Sequence, residues 1–548
     1  MRRLTSRASR LAALPLLAAL MACQTAPGGS PEDRCGADLD PDAITAVAIA
    51  DGTLSAEDAV CASEQRIART NWALNAVIAS NPSARAEAAA ADAARVRGDA
   101  GPLQGVPILV KDNIETRELP TTAGSLALAA NDTGRDAPAI ARLRAAGAIV
   151  LGKANLSEWA NFRDEASVSG WSAVGGQTRN PHALERSPCG SSSGSGAAVA
   201  AGLAPAALGT ETNGSIICPA AANGIVGFKP TVGLVSRHRV VPISPTQDTI
   251  GPMTRTVADA ALLLSVMAGT DPADPATAEA DARRPSATLR PDALDGMTVG
   301  VLRFAEGDDP RVSVLFKEAL STIESRGATL VEVSEWNAPD SLGADEFTVL
   351  LAEFKASLND YLASTPDTVE VRTLADLIAF NAANADEELP LFGQDILEQS
   401  QATDGLDDEA YRAALPRLLE AVRANGIEKF LSDTGADVLV APTAGPAFLI
   451  DPVSGDSYDG GIGAGYIAAI AGTPHLTVPM GTVQGLPVGL SFFGAAWDDG
   501  MVLAAGADYE AASGKLVAPT FRWDAFEAPE TKDALRRDRD PLEGVNRD

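Results

Sequence analysis

The sequence predicts an α/β fold built around a buried sheet. Three observations carry that prediction. Short apolar runs recur along the chain and stop at a charge or a proline. Ala-rich helical patterns lie between them. Aromatic residues are only 5% of the chain while glycines number 49, so elements can approach closely. At 548 residues the chain can bury a large core.

The elements follow in order. Helical patterns fill residues 41–94, with starts of the Thr53-Leu54-Ser55 kind. Residues 105–111 read as a buried strand ending in Lys111. Residues 137–147 form an Ala-rich helix, and residues 148–151 a second apolar strand. Residues 187–217 are rich in Ser and Gly, yet a helix over 196–204 divides them into two loops rather than a linker. A strand at 225–228, an amphipathic helix at 259–267 and a strand at 299–302 come next. Residues 310–430 are mostly helical and acidic, as a cap over the core would be. A strand over 437–442 stops at Pro442, and residues 526–548 form a polar tail. There is no internal repeat.

Charge narrows the function. There are 43 basic and 73 acidic residues, a net charge of −30. Such a chain repels nucleic acid and anionic lipid surfaces. The three histidines, His182, His238 and His475, sit in no metal-binding spacing, so no metal and no organic cofactor is expected.

The N-terminus reads as a targeting segment. Arg2, Arg3, Arg7 and Arg10 precede an apolar run over 11–22, which is short for a membrane span. Cys23 follows Ala22, an arrangement that resembles a bacterial lipobox. The expectation is a signal peptide over 1–22, lipidation of Cys23 and a polar tether over 23–40. The protein would then be exported and held on the envelope, or secreted if Cys23 carries no lipid. Export permits disulfides, and Cys35–Cys61 is the expected pair. Cys189 and Cys218 are expected as two buried thiols in preference to a bridge.

Three pieces carry the chemistry. The first is Val110-Lys111-Asp112-Asn113. The second runs from Ser187 through Gly190, Ser191 and Ser192 to Gly196. The third is Gly209-Thr210-Glu211-Thr212-Asn213-Gly214-Ser215-Ile216. In this order and spacing they resemble the amidase signature family. The resemblance extends through Gly227-Phe228-Lys229-Pro230, Asp248-Thr249-Ile250-Gly251-Pro252, Val440-Ala441-Pro442-Thr443 and Gly485-Leu486-Pro487-Val488-Gly489. It covers most of residues 40–525 and implies one large domain over 41–525, with a central mixed sheet surrounded by helices.

The resemblance implies Ser215 as nucleophile, Ser191 as proton bridge and Lys111 as base, with a cis peptide bond between Gly190 and Ser191. A serine hydroxyl attacks only when a base takes its proton. Holding a lysine neutral at pH 7 costs roughly 4–5 kcal/mol unless burial lowers its pKa. Ser192 is expected to hold Lys111. The turn Thr212-Asn213-Gly214-Ser215 is expected to offer oxyanion donors, each typically contributing about 3 kcal/mol in the transition state.

Cys189, Asn213, Glu211 and Ile217-Cys218 depart from the family pattern. Residues 153–163, with Ser169-Gly170-Trp171-Ser172, resemble the peptide amidase branch, whose activity removes the amide from peptide C-termini. The competing structural reading leaves Trp159, Phe162 and Trp171 as core. Three other functions stay open. The amidase component of a transfer-RNA amidotransferase fits poorly with export. An aliphatic or fatty acid amide hydrolase differs only in its channel. A noncatalytic lipoprotein that binds amidated ligands would be expected to lack Lys111 or Ser215.

Overall fold

Strands buried on both faces need apolar residues at every position, and several runs of this chain supply them. The computed structural model describes residues 39–458 and 461–527. In chain order the strands are β1 (Val77–Ser80), β2 (Pro107–Lys111), β3 (Ile149–Ala154), β4 (Trp171–Ser172), β5 (Gly176–Gln177), β6 (Ala206–Glu211), β7 (Val226–Lys229), β8 (Thr249–Thr254), β9 (Thr298–Leu302), β10 (Thr329–Val333), β11 (Val438–Pro442), β12 (His475–Val483) and β13 (Leu486–Phe493).

All but β4 and β5 join one mixed sheet, in the order β1-β3-β2-β6-β8-β7-β12-β13-β11-β9-β10. Its centre sets the site. β2 runs parallel to β6, with Val110 opposite Leu208, so the end of β2 and the end of β6 lie side by side. β8 then runs antiparallel to β6, with Thr249 opposite Glu211.

Side chains alternate across the sheet, as a period of two requires. Ile108, Val110, Val150 and Leu208 enter the largest apolar cluster on one face. Leu109, Ile149, Leu151 and Ala207 enter another on the opposite face. Helix Ser193–Ala200 lies in that second cluster and is buried at every residue. Its small residues are the reason it fits: a Cβ on Gly194 would sit 2.3 Å from the carbonyl oxygen of Ala76.

Helix starts are fixed locally. The hydroxyl of Ser55 accepts from Asp58 N–H at the head of helix Ala56–Leu74, and Thr256 does the same for helix Val257–Met267.

Residues 310–430 divide differently from the sequence expectation. Helix Pro310–Ser325 and β10 belong to the sheet layer. The helices from Leu342 onward form a separate group. Phe354, Leu358 and Leu362 of helix Leu342–Ala363 pack with Trp159, Phe162 and Val241 from loops of the core. The helix expected over 196–204 starts earlier, directly after Ser192, because the small residues there suit burial.

Among the described residues no helix is long and apolar enough to cross a membrane. The expected signal segment, lipidated Cys23 and Cys35, with nearly all of the tether and tail, lie outside the described residues. Cys61, the expected partner of Cys35, is in a disulfide.

Candidate active site

Lys111 closes β2, and the buried strand carries its side chain into the interior with no exposed surface. Its Nζ lies 2.8 Å from Ser191 Oγ, 2.9 Å from Thr210 Oγ1 and 3.2 Å from Thr210 O. Burial brings the Lys111 ammonium down to about 7, against the opposing pull of Asp248 and Glu211. Beside it, Asp112 forms a buried ion pair with Lys153 at 3.1 Å. Lys153 Nζ also donates to Ile114 O and Thr121 Oγ1, which fixes the backbone after Lys111.

Ser191 follows a cis peptide bond from Gly190. Gly190 has no room for a side chain, since a Cβ there would sit 2.3 Å from Ser157 Oγ. No hydrogen bond joins Ser192 to Lys111 among the described residues, contrary to expectation. Its hydroxyl donates to Thr210 O at 3.1 Å, and Thr210 in turn holds the lysine. Ser192 N–H donates to Ser215 O at 3.1 Å, tying the two serine loops together.

Ser215 keeps 8% of its surface exposed while Lys111 and Ser191 keep none, so solvent reaches Ser215 and not Lys111. No hydrogen bond joins Ser191 Oγ to Ser215 Oγ among the described residues. The turn before Ser215 needs Gly214 for its conformation rather than for space: φ is +82° and nothing lies within 4 Å of a Cβ built there. The backbone N–H groups of Asn213, Gly214 and Ser215 find no acceptor among the described residues. Thr212 is engaged differently, its hydroxyl donating to Asp248 at 2.6 Å. Glu211 Oε2 accepts from Ile216 N–H and Ile217 N–H, which anchors the far side of the turn.

Such an arrangement can relay a proton from a hydroxyl to a neutral lysine and hold a developing oxyanion on backbone donors. Among the described residues no group of three His, Cys, Asp or Glu side chains is placed to hold a metal ion.

A sequence profile described as Amidase matches residues 58–503. The chain belongs to the amidase signature family. It is an amidase, and a lysine, a serine after a cis peptide and a second serine form the triad characteristic of that family; in this chain the cis peptide precedes Ser191. A probable amidase of Arabidopsis thaliana is 38% identical over 468 residues, covering 83% of this chain and 86% of the relative. The peptide amidase of Stenotrophomonas maltophilia is 46% identical with a TM-score of 0.81, over 87% of this chain and 98% of that one. An amidase family protein of Bacillus anthracis is similar at 33% identity and a TM-score of 0.77, over 86% of this chain and 90% of that one.

One correction concerns this amidase's sequence reading. Cys189 and Cys218 are bridged rather than free, because the serine loops bring their Cα atoms to 5.8 Å, inside bridging range. Beside the bridge, Ala222, Ala447, Phe448 and Tyr458 line a cavity of about 80 Å³. Trp159, Phe162 and Trp171, within the stretches that resemble the peptide amidase branch, are buried, and Trp171 lies 5.2 Å from the buried Arg163 guanidinium.

Sequence reasoning missed Thr210 and Asn113, whose Nδ2 donates to Thr210 Oγ1 at 2.9 Å. The available signal was spacing. Asn113 lies in the turn two residues past Lys111, and the two side chains meet at Thr210 Oγ1.

Proposed function

We propose that this amidase hydrolyses the C-terminal carboxamide of peptides through an acyl-enzyme on Ser215. The observation that carries the mechanism is the hydrogen bonding of Lys111. Thr210 O can only accept, so it takes one N–H. Thr210 Oγ1, which also accepts from Asn113, takes a second. A neutral lysine then has one lone pair left, and Ser191 Oγ lies 2.8 Å away to donate to it. With its pKa brought down to about 7, Lys111 is neutral in much of the population at neutral pH.

The steps follow from that arrangement. Ser215 Oγ attacks the amide carbon as its proton passes to Ser191 and the Ser191 proton passes to Lys111 Nζ. Catalytic hydrogen bonds commonly tighten only in the substrate complex, and the Ser215 hydroxyl can turn to Ser191 then. The oxyanion sits on N–H groups of the turn at residues 213–215. The C–N bond breaks, and the proton returns through Ser191 to the leaving nitrogen, which departs as ammonia. Water repeats the cycle on the ester and releases the acid.

The likeness to the Stenotrophomonas peptide amidase supports the peptide substrate. The apolar cavity beside the Cys189–Cys218 bridge supports a side chain next to the carboxamide. The test is ammonia release from a C-terminally amidated dipeptide, a simple aliphatic amide and a long-chain fatty amide, with Ser215→Ala as the blank. Preference for the dipeptide amide, abolished in Ser215→Ala, is expected. Turnover of the fatty or aliphatic amide alone discards the peptide reading, and an active Ser215→Ala discards the acyl-enzyme.

The basic and apolar leader with Cys23 supports export and lipid anchoring. Mass spectrometry of the mature N-terminal peptide tests this; an unmodified Cys23, or a retained leader, counts against it.

A further inference from the structure

The turn that carries Ser215 is braced from outside the catalytic loops. Asn213 Nδ2 donates to Glu346 Oε1 at 2.7 Å. Gln247 Nε2 donates to the same oxygen at 3.0 Å and to Thr212 O at 3.2 Å. Glu346 stands on helix Leu342–Ala363, in the helical group that packs over the core loops. None of these side chains takes part in the proton relay.

Two features make such a brace necessary. Gly214 has open space where a Cβ would stand, and its left-handed backbone permits several neighbouring conformations. The N–H groups of residues 213–215 have no acceptor among the described residues to fix their direction. Oxyanion donors contribute only when they are aimed before charge develops. A glycine at 213, the residue the family pattern places there, could not bridge to a neighbouring element; Asn213 can.

We propose that Glu346 is a positioning residue for amide hydrolysis, holding the Asn213 side chain and through it the N–H groups at 213–215. The same carboxylate also engages Gln247, so one helix residue sets both Thr212 and Asn213. This inference rests on the reading of Ser215 as nucleophile.

The experiment measures kcat and KM on the amidated dipeptide for Glu346→Ala, Glu346→Gln, Asn213→Ala and the double variant Glu346→Ala/Asn213→Ala. Loss of a hydrogen bond to a charged group predicts a kcat about ten- to a hundredfold lower in Glu346→Ala, with KM nearly unchanged. Glu346→Gln keeps an acceptor oxygen and restores most of the lost rate. The double variant falls no lower than the worse single one, because both remove the same contact. A change in KM alone, an unchanged kcat, or additive losses overturns the proposal. If Glu346→Ala does not fold, the exposed Asn213→Ala carries the same test. A dead Ser215→Ala beside a fully active Glu346→Ala removes only the positioning role; an active Ser215→Ala removes the nucleophile reading itself.

Discussion

Thr210 grips Lys111 by two atoms, its hydroxyl at 2.9 Å and its carbonyl oxygen at 3.2 Å. The carbonyl cannot be mutated away, but the hydroxyl can. Thr210→Val keeps the shape and leaves Lys111 and Asn113 each short of an acceptor. A charged ammonium loses more by this than a neutral amine does, so the Lys111 pKa falls further. Activity is expected to drop about ten- to a hundredfold, with the acid limb of the rate profile moved to lower pH. Steady-state kinetics across pH measure both effects.

The wild-type profile has its own expected form. Lys111 acts as a base only when neutral, and burial brings its pKa down to about 7. The value of kcat/KM therefore rises with pH through about 7 and levels above it. The same shift acts on stability. Between about 7 and the unfolded lysine value of about 10.4, the unfolded chain binds the extra proton, so this group's contribution to stability rises with pH across that window. A profile flat through neutrality would remove Lys111 from the role of base.

The Lys153–Asp112 pair supports the strand end next to the base, and both side chains are buried. Burial outweighs their attraction, pushing the Asp112 carboxyl up and the Lys153 ammonium down. Removing one partner leaves a lone charge in the interior. Lys153→Met is expected to cost about 3–5 kcal/mol in urea unfolding, and adding Asp112→Asn to recover part of it.

The Cys189–Cys218 bridge closes a segment of 29 residues in sequence. Replacing both cysteines by serine is expected to cost about 2–4 kcal/mol of stability. Thermal melts with and without reductant provide the check: the wild-type Tm falls on reduction by more than that of the double serine variant.

Much of this was legible in sequence, for physical reasons. β2, β3, β9 and β11 are apolar at nearly every position, which only a buried strand tolerates over so short a run. β6 was not legible. Gly209 and Thr210 read as loop chemistry, yet both pair with β8 as strand residues, and position 209 is glycine because Ser192 Oγ and Met253 Sδ leave no space for a Cβ. The β12–β13 hairpin was hidden as well: Gln484 and Gly485 both take positive φ, a turn usually signalled by Asn-Gly. In the site, the lysine and the two serines announced themselves by motif. Thr210, Asp248 and Glu346 did not, since each acts through a contact between segments distant in the chain. Ser192 was assigned to the wrong partner because adjacency in a motif does not say which way a hydroxyl points.

The parallel pairing of β2 with β6 has a practical meaning for anyone redesigning the enzyme. Lys111 ends one strand and Thr210 lies near the end of the next, so the reach from base to anchor is ruled by the sheet's fixed strand spacing of about 4.8 Å. No loop length enters that distance. Substrate preference can therefore be rebuilt in the segment around Phe448, while the catalytic ruler at the centre stays in calibration.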